Sequence, residues 1–218
     1  MAKHEKLKKV KVHTQYRMKN GDKVPGVTTV LGVLAKPALI HWAWDLGIQQ
    51  IDYRKYRDTL ADIGTLAHYM VQCDLSGEKP DLATYSPEQI DLAENALIKF
   101  YEWRRENTVE PVLIEAALVS ELGFGGTIDL LALVNGILTL VDFKTSKAIY
   151  PEMITQLAAY HYLLGEHGYK PKAVRILRIG RREDEGFEEQ RRTPKELSAH
   201  WKLFKHCLEI YNLKKQIA

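Results

Sequence analysis

Cysteine is nearly absent from this sequence of 218 residues. The two cysteines, Cys73 and Cys207, stand far apart, and neither belongs to a C-x-x-C pair. Closely spaced cysteines are what a structural zinc site or a disulfide framework requires. The sequence therefore predicts neither kind of site, and we expect a protein of a reducing cytosol.

Long apolar runs and a large excess of one charge are absent as well. No stretch approaches the roughly 18 apolar residues of a membrane span, and the amino terminus carries lysines but no apolar signal segment, so we expect a soluble intracellular protein. The 31 basic and 28 acidic residues leave a net charge of +3, which is too small to indicate a nucleic-acid partner by itself. Length and a hydrophobic content of 45% predict one domain spanning 1–218. Within it, residues 1–11 form a basic arm that contacts phosphates or is merely solvated.

The most informative stretch runs from residue 125 to residue 160. Asn135-Gly136 separates two apolar runs and predicts a two-residue hairpin turn of type I′, since both residues tolerate a positive φ. With Val134 opposite Ile137, the register places Asp129 directly across from Asp142 on one face. The opposite face is apolar and takes Ile128, Leu130, Ala132, Val134, Ile137, Val141 and Phe143. Because both faces carry apolar residues, we expect these strands near the centre of their sheet.

Two aspartates in facing positions would destabilise the sheet unless something offsets their repulsion. Two carboxylates at the rim of a sheet form a hard-oxygen site suited to Mg²⁺. Lys144 lies on the same face, where its ammonium would hold or deprotonate an attacking water, or offset charge in the transition state. The alternative is a salt-bridged hairpin end without catalytic function.

Further candidates lie on either side of this hairpin. A helix predicted to begin at Pro151 carries Gln156 and Tyr160 on one face, four residues apart; a core tyrosine with a solvated neighbour is the alternative. A helix predicted over 58–73 places His68 one turn after Gly64, whose missing side chain would leave room for a metal or a phosphate. Glu115 is the only charge inside the apolar strand predicted over 110–120, and it must be neutralised by a metal, a lysine or protonation.

Aromatic and basic residues alternate in the helical pattern from residue 38 to about residue 56. In one interpretation the aromatic rings stack on bases and the basic residues follow the backbone of a nucleic-acid strand. In the other, the aromatic rings fill the core and the basic residues face water. We expect Trp42 and Trp44 in the core, and for Tyr53 and Arg54 both interpretations stay open. Arg181 is another candidate phosphate contact, in a mixed-charge stretch over 178–192 that predicts an exposed hairpin or loop.

Taken together and in order, these motifs resemble those of the RecB-like branch of the PD-(D/E)XK nuclease superfamily. The motifs are G-x-x-D at 126–129, D-x-K at 142–144 and Q-x-x-x-Y at 156–160, with Gly64-x-x-x-His68 and Glu115 upstream. The run VPGVTTVLGVLAKP, followed by HWAWDLG, is also similar to the amino-terminal part of phage-encoded members and mitochondrial genome-maintenance exonucleases. Ile128 stands where many members carry a proline.

The resemblance implies an α/β fold with a central mixed β-sheet flanked by helices. Ahead of that core, Asn20-Gly21 predicts an N-terminal hairpin, and the patterns that follow it predict a helical region. It implies a metal-dependent deoxyribonuclease, an exonuclease in DNA processing, recombination or repair, in a bacterial or phage-infected cell. Its Mg²⁺ or Mn²⁺ would be held by His68, Glu115, Asp129, Asp142 and the backbone carbonyl of Phe143.

In that scheme Lys144 activates the attacking water, and Gln156 and Tyr160 orient Lys144 or grip the DNA. Some members bind an iron–sulfur cluster through four cysteines, which a chain with two cannot supply. Two alternatives stay open: a catalytically silent DNA-binding subunit that keeps the nuclease fold, and a sequence- or structure-specific endonuclease.

Overall fold

The computed structural model describes residues 14–217, so the basic arm predicted at 1–11 lies outside the described residues. The first element is a short antiparallel hairpin of β1 (Tyr16–Arg17) and β2 (Lys23–Val24). Gly21 lies in its loop with a φ of 89°, a conformation that glycine adopts without steric cost. This hairpin confirms the one expected at the amino-terminal end.

A helical region follows the hairpin. Its helices are α1 (Val27–Leu31), α2 (Pro37–Ile48), α3 (Tyr53–Ser76) and α4 (Pro87–Glu106). The pattern predicted as one helix from residue 38 is divided because Asp52 caps a new helix, its carboxylate accepting hydrogen bonds from the N–H groups of Arg54 and Lys55. Ser86 caps α4 ahead of Pro87, and Gln89 completes a capping box.

The main sheet has the strand order β3-β4-β5-β6-β7 within residues 14–217. Its strands are β3 (Val109–Ser120), β4 (Phe124–Val134), β5 (Ile137–Lys144), β6 (Ala173–Ile179) and β7 (Phe187–Arg192). The helix α5 (Pro151–Glu166) crosses over from β5 to β6, which makes that pair parallel, while all other neighbours are antiparallel. The expected mixed sheet is confirmed. The fifth strand, β7, lies in the mixed-charge stretch and forms a hairpin with β6.

Helices cover both faces of this sheet. On one face, α1, α5 and the final helix α6 (Ser198–Ile217) pack on Leu131, Leu140 and Ile176. On the other face, α3 and α4 pack on Leu130, Val141 and Leu177. These two layers confirm the flanked α/β architecture.

The helix α2 lies at the edge of this packing. It buries only Leu46, because Asp52 starts a new helix and α3 supplies the core layer instead. Trp42 is half-buried against Tyr56, with the ring centroids 6.1 Å apart, but the side chain of Trp44 is 65% exposed. The prediction that Trp44 fills the core was therefore wrong. None of the helices in residues 14–217 combines the length and the apolar character needed to cross a membrane.

Candidate active site

The hairpin of β4 and β5 has the turn that its sequence predicts. Asn135 and Gly136 have φ values of 52° and 78°, and the register runs from Val134 opposite Ile137 to Leu130 opposite Val141. The pairing ends there, one residue before Asp129 and Asp142. The N–H of Phe143 instead donates to Asp129 Oδ2 at 2.8 Å. A side-chain carboxylate thus takes the place of a strand carbonyl, and the predicted face-to-face pairing of the two aspartates is not part of the ladder.

An irregularity at Glu115 accompanies the end of this ladder. Glu115 has a φ of 47° inside β3, a conformation that is uncommon for a residue other than glycine. Leu113 and Ala116 on β3 both contact the core layer of α5, although regular alternation would place residues three apart on opposite faces. The same holds for Ile128 and Leu131 on β4. Both strands therefore change faces at one level of the sheet, and the face predicted for Ile128 was wrong.

Three elements bring potential metal ligands together at this irregular level. His68 from α3, Glu115 from β3 and Asp129 from β4 each offer a ligand atom, and these atoms lie within 4.8 Å of one another. His68 Nδ1 is 3.6 Å from Asp129 Oδ2. Burial, followed by Lys144, lowers the pKa of His68 to about 4, so the ring is neutral near pH 7 and the contact is not an ion pair.

Asp142 lies beside this group on β5 with a nearly unsatisfied carboxylate. The residue is 1% exposed, and its Oδ2 lies 2.6 Å from Lys144 Nζ. The ammonium makes an ion pair there without the angles of a hydrogen bond, and neither oxygen of Asp142 has another partner in the described part of the chain. A buried carboxylate with a single cationic neighbour is costly. The site therefore has a carboxylate to which a further cation would be complementary.

The charges of the acidic residues depend on one another. Burial, followed by the repulsion of Asp129 and Asp142, raises the pKa of Glu115 to about 8. Burial also raises the pKa of Asp142 to about 6 and raises that of Asp129, although Lys144 opposes the shift at both. Without a cation, Glu115 is therefore mostly protonated near pH 7, which is one of the neutralising states predicted for it.

Lys144 keeps its proton in this arrangement. Burial alone would lower the pKa of its ammonium, but Asp142 and then Asp129 outweigh that effect, and the pKa is raised. An ammonium with a raised pKa is a hydrogen-bond donor and a positive charge rather than a proton acceptor. Of the two roles predicted for Lys144, a raised pKa favours holding a water over deprotonating it.

Gln156 and Tyr160 lie together on α5. Gln156 Nε2 donates to the Tyr160 hydroxyl at 2.7 Å. Burial first, and then Asp142 and Asp129, raise the pKa of Tyr160 well above its usual value, so the phenol is neutral beside the carboxylates. The ring fills the space over Gly126, where any Cβ would overlap it. Neither side chain hydrogen-bonds to Lys144 within residues 14–217.

The space beside Gly64 is not free for a ligand. A Cβ at Gly64 would lie 2.8 Å from the Oγ1 of Thr145, the residue that directly follows β5. The missing side chain therefore lets α3 approach the end of β5, which brings His68 next to Phe143 with the ring centroids 6.1 Å apart. The prediction that this space holds a metal or a phosphate was therefore wrong, because Thr145 packs there.

The remaining predicted residues lie outside the acidic group. Tyr53 and Arg54 are exposed at the start of α3, with the guanidinium 5.8 Å from the ring centroid of Tyr53. Arg181 is buried; it donates to the Leu60 carbonyl at 3.3 Å and lies 3.9 Å from the Glu185 carboxylate. Its guanidinium therefore holds the β6–β7 hairpin against α3.

Sequence reasoning missed Tyr16, which the amino-terminal hairpin carries to this region. Its ring lies on Gly125, and its hydroxyl is 2.9 Å from Thr127 Oγ1, two residues before Asp129. The signal in the sequence was Gly125, an additional glycine directly before the G-x-x-D motif, which begins at Gly126. A glycine pair inside a strand indicates that other groups approach the backbone closely.

Comparisons with known proteins gave a match to a family model and similar solved structures. A model of the PD-(D/E)XK nuclease superfamily matches residues 42–214. The solved structure of LHK-Exo in complex with dAMP is 15% identical with a TM-score of 0.35, over 70% of this chain and 85% of that one. The structure of an alkaline exonuclease, LHK-Exo from Laribacter hongkongensis, is 17% identical with a TM-score of 0.36, over 69% and 82% of the two chains. No curated protein matches the sequence.

Proposed function

This chain belongs to the PD-(D/E)XK nuclease superfamily, and on that premise we propose that it is a metal-dependent exodeoxyribonuclease. Its role would be DNA processing, recombination or repair in the cytosol of a bacterial or phage-infected cell. One observation carries the proposal. The buried Asp142 carboxylate, whose one ionic partner among residues 14–217 is Lys144, stands beside three groups whose ligand atoms lie within 4.8 Å of one another.

The residues present fit a divalent cation of the Mg²⁺ or Mn²⁺ type. Glu115, Asp129 and Asp142 offer hard carboxylate oxygens, and the unsatisfied oxygens of Asp142 are the observation that supports the fit. His68 is neutral near pH 7 and therefore able to act as a ligand. The N–H of Phe143 points to the β4 side. Because the N–H and C=O of one strand residue point the same way, its carbonyl is directed there as well.

A bound cation would polarise a phosphoryl oxygen and stabilise the leaving oxygen. The protein's own contribution is to place charge and protons around the phosphate. Lys144 holds its proton at Nζ and donates to the attacking water or to a phosphoryl oxygen, since its pKa is raised. The neutral Tyr160 hydroxyl is a further donor beside the carboxylates, and Gln156 fixes its position.

Contacts with the rest of the DNA belong to the exposed start of α3. The aromatic ring of Tyr53 and the guanidinium of Arg54 lie on the surface close to each other. An exposed ring stacks on a base, and an exposed guanidinium pairs with a phosphate. We assign these two residues to a single strand leaving or approaching the site. For Arg181, buried and bonded to Leu60, we assign support of the fold around that surface.

The test is a digestion series with purified protein. End-labelled linear duplex, linear single strand and covalently closed circular DNA are incubated with Mg²⁺, with Mn²⁺ or with EDTA. We expect loss of linear DNA with either metal, no loss with EDTA and intact circles. Nicked or cut circles would indicate an endonuclease instead. Binding without any product would indicate a silent DNA-binding subunit.

A further inference from the structure

The hairpin that carries Tyr16 is fixed across the beginning of β4 by the Tyr16 ring and by two backbone contacts of the residues that follow β2. Its ring covers Gly125 so closely that a Cβ there would overlap the ring. The N–H of Gly125 donates to the Pro25 carbonyl at 2.9 Å, and Gly26 forms a parallel bridge with Gly125. The hairpin is therefore joined to the sheet by its backbone as well as by its tyrosine.

The side chain of Tyr16 extends along the strand towards the acidic group. It starts over Gly125, and its hydroxyl reaches Thr127, whose side chain lies on the same face of β4. Asp129 follows two residues later, a distance of about 7 Å along a strand. On the neighbouring strand, Ala117 pairs with Thr127, and Glu115 lies two residues before it. The two hydroxyls are thus the next polar groups along the sheet from Asp129 and Glu115.

The hydroxyl pair retains a hydrogen-bond donor. Tyr16 and Thr127 carry one hydroxyl proton each, and the contact of 2.9 Å between their oxygens uses one of them. Neither hydroxyl has a further side-chain or carbonyl partner among residues 14–217, so one proton has no acceptor. The surface here is open, since Ala117 is exposed and Thr127 and Tyr16 are half-buried. A donor on an open surface beside two carboxylates is complementary to an anionic oxygen that approaches together with a cation.

We propose that the hydroxyls of Tyr16 and Thr127 bind a non-bridging oxygen of the DNA phosphate next to the one that is cleaved. This inference rests on the proposed nuclease function and adds a substrate contact to it. The spacing of about 7 Å from Asp129 assigns the pair to the neighbouring phosphate rather than to the reacting one. Tyr16 is then a substrate-binding residue that a separate element, the amino-terminal hairpin, supplies to the site.

The test combines Tyr16→Phe and Thr127→Val with substrates that carry one neutral methylphosphonate linkage at successive positions. Both substitutions keep the size of the side chain, so the ring still covers Gly125. Binding is measured by fluorescence anisotropy in Ca²⁺, and cleavage in Mg²⁺. Hydrogen bonds to charged groups contribute enough that we expect binding about tenfold weaker and KM about tenfold higher, with a smaller change in kcat.

The methylphosphonate series separates a contact from a structural effect. The unsubstituted protein should lose affinity when the neighbouring phosphate is neutral, whereas the double variant should lose nothing further at that position and the normal amount elsewhere. Tyr211→Phe, on α6, is the matched control and should behave as the unsubstituted protein. Equal binding by the double variant, or a loss that is the same at all positions, would overturn the inference while leaving the nuclease function intact. An unsubstituted protein that neither binds nor cuts DNA would overturn both.

Discussion

The two ends of the β4–β5 hairpin differ in how completely their polar groups are satisfied. At the turn end, the Asn135 side chain accepts from the Thr108 N–H at 2.8 Å and donates to Asn107 at 2.9 Å, and the ladder is regular. At the open end the ladder stops, Glu115 has a positive φ, and the Asp142 carboxylate has one ionic neighbour, Lys144, in the described part of the chain. The polar groups at the turn end are therefore satisfied by neighbouring residues, whereas a bound ligand would satisfy those at the open end.

The unfavourable interactions of this fold are concentrated at the open end. Burial raises the pKa of Asp142 to about 6, and burial together with two neighbouring carboxylates raises that of Glu115 to about 8. Both shifts mean that the ionised groups are unfavourable in the folded chain without a cation. Such costs are tolerated where the structure around them fixes the geometry, and they are typical of functional sites. Substitutions at the open end should therefore mainly lower activity, and substitutions at the turn end should mainly lower stability.

The largest effect is expected from Asp142→Asn. The amide keeps the shape of the carboxylate but removes the charge that would hold the cation, so kcat should fall by roughly a thousandfold or more. Single-turnover cleavage of end-labelled DNA at saturating Mg²⁺ gives the measurement, with the folded fraction checked by circular dichroism. Cleavage within tenfold of the unsubstituted protein would contradict the assignment of the open end.

Lys144→Met should lower kcat by about a hundredfold to a thousandfold, because a positioned charge and donor is lost while the ligands remain. The apolar stem keeps its packing. Lys147→Met is the matched control, since Lys147 is exposed three residues later, and it should change kcat by less than about twofold. If both variants lose activity alike, the effect of Lys144 is not specific to the open end.

The turn end illustrates what could be predicted from the sequence. Asn135-Gly136 determined the turn and the register, and Pro151 marked the start of a helix correctly. Each of these features depends on residues close together in the chain. For the same reason the order of elements and the mixed sheet could be predicted from periodicity and from the motif set.

The open end shows what the sequence did not reveal. The interruption at Glu115 changes the face of Ile128, which lies on another strand. Gly64 is explained by Thr145 and Gly125 by Tyr16, and both contacts join residues far apart in the chain. The sequence identified residues that lie together at this end but not the backbone irregularity that brings them together. Pairwise tertiary contacts of this kind have no periodicity that a sequence pattern could show.

The third prediction concerns pH. The folded pKa of Glu115 is raised to about 8, so the metal-free folded state binds this proton more tightly than the unfolded chain does. The stabilisation is complete below the unfolded pKa of about 4.3 and is lost as pH rises through about 8. Glu115→Gln removes the titrating group, so the metal-free variant should lose less stability between pH 5 and pH 8 than the unsubstituted protein.

Thermal unfolding in EDTA at pH 5 and pH 8 measures this difference. At pH 8 we expect the variant to have a Tm higher by about 2–4 °C for each kcal/mol of relieved charge burial. Glu121→Gln, an exposed position directly after β3, serves as the control and should keep the original pH dependence. A parallel pH profile for Glu115→Gln would show that Glu115 is not the group responsible. In Mg²⁺ the variant should instead have the lower Tm, since a ligand has been removed.

The smallest effect is expected at the turn end, from Gly136→Ala. Gly136 has a φ of 78°, and a Cβ there would meet no atom within 4 Å, so the cost is backbone strain alone. That strain is about 1–2 kcal/mol, which should appear as a lower Tm. The acidic group lies at the far end of the same strands, and kcat per folded molecule should stay within about twofold. A loss of activity larger than the loss of folded protein would mean that the register set at the turn is transmitted to the carboxylates, and that the two ends are not independent.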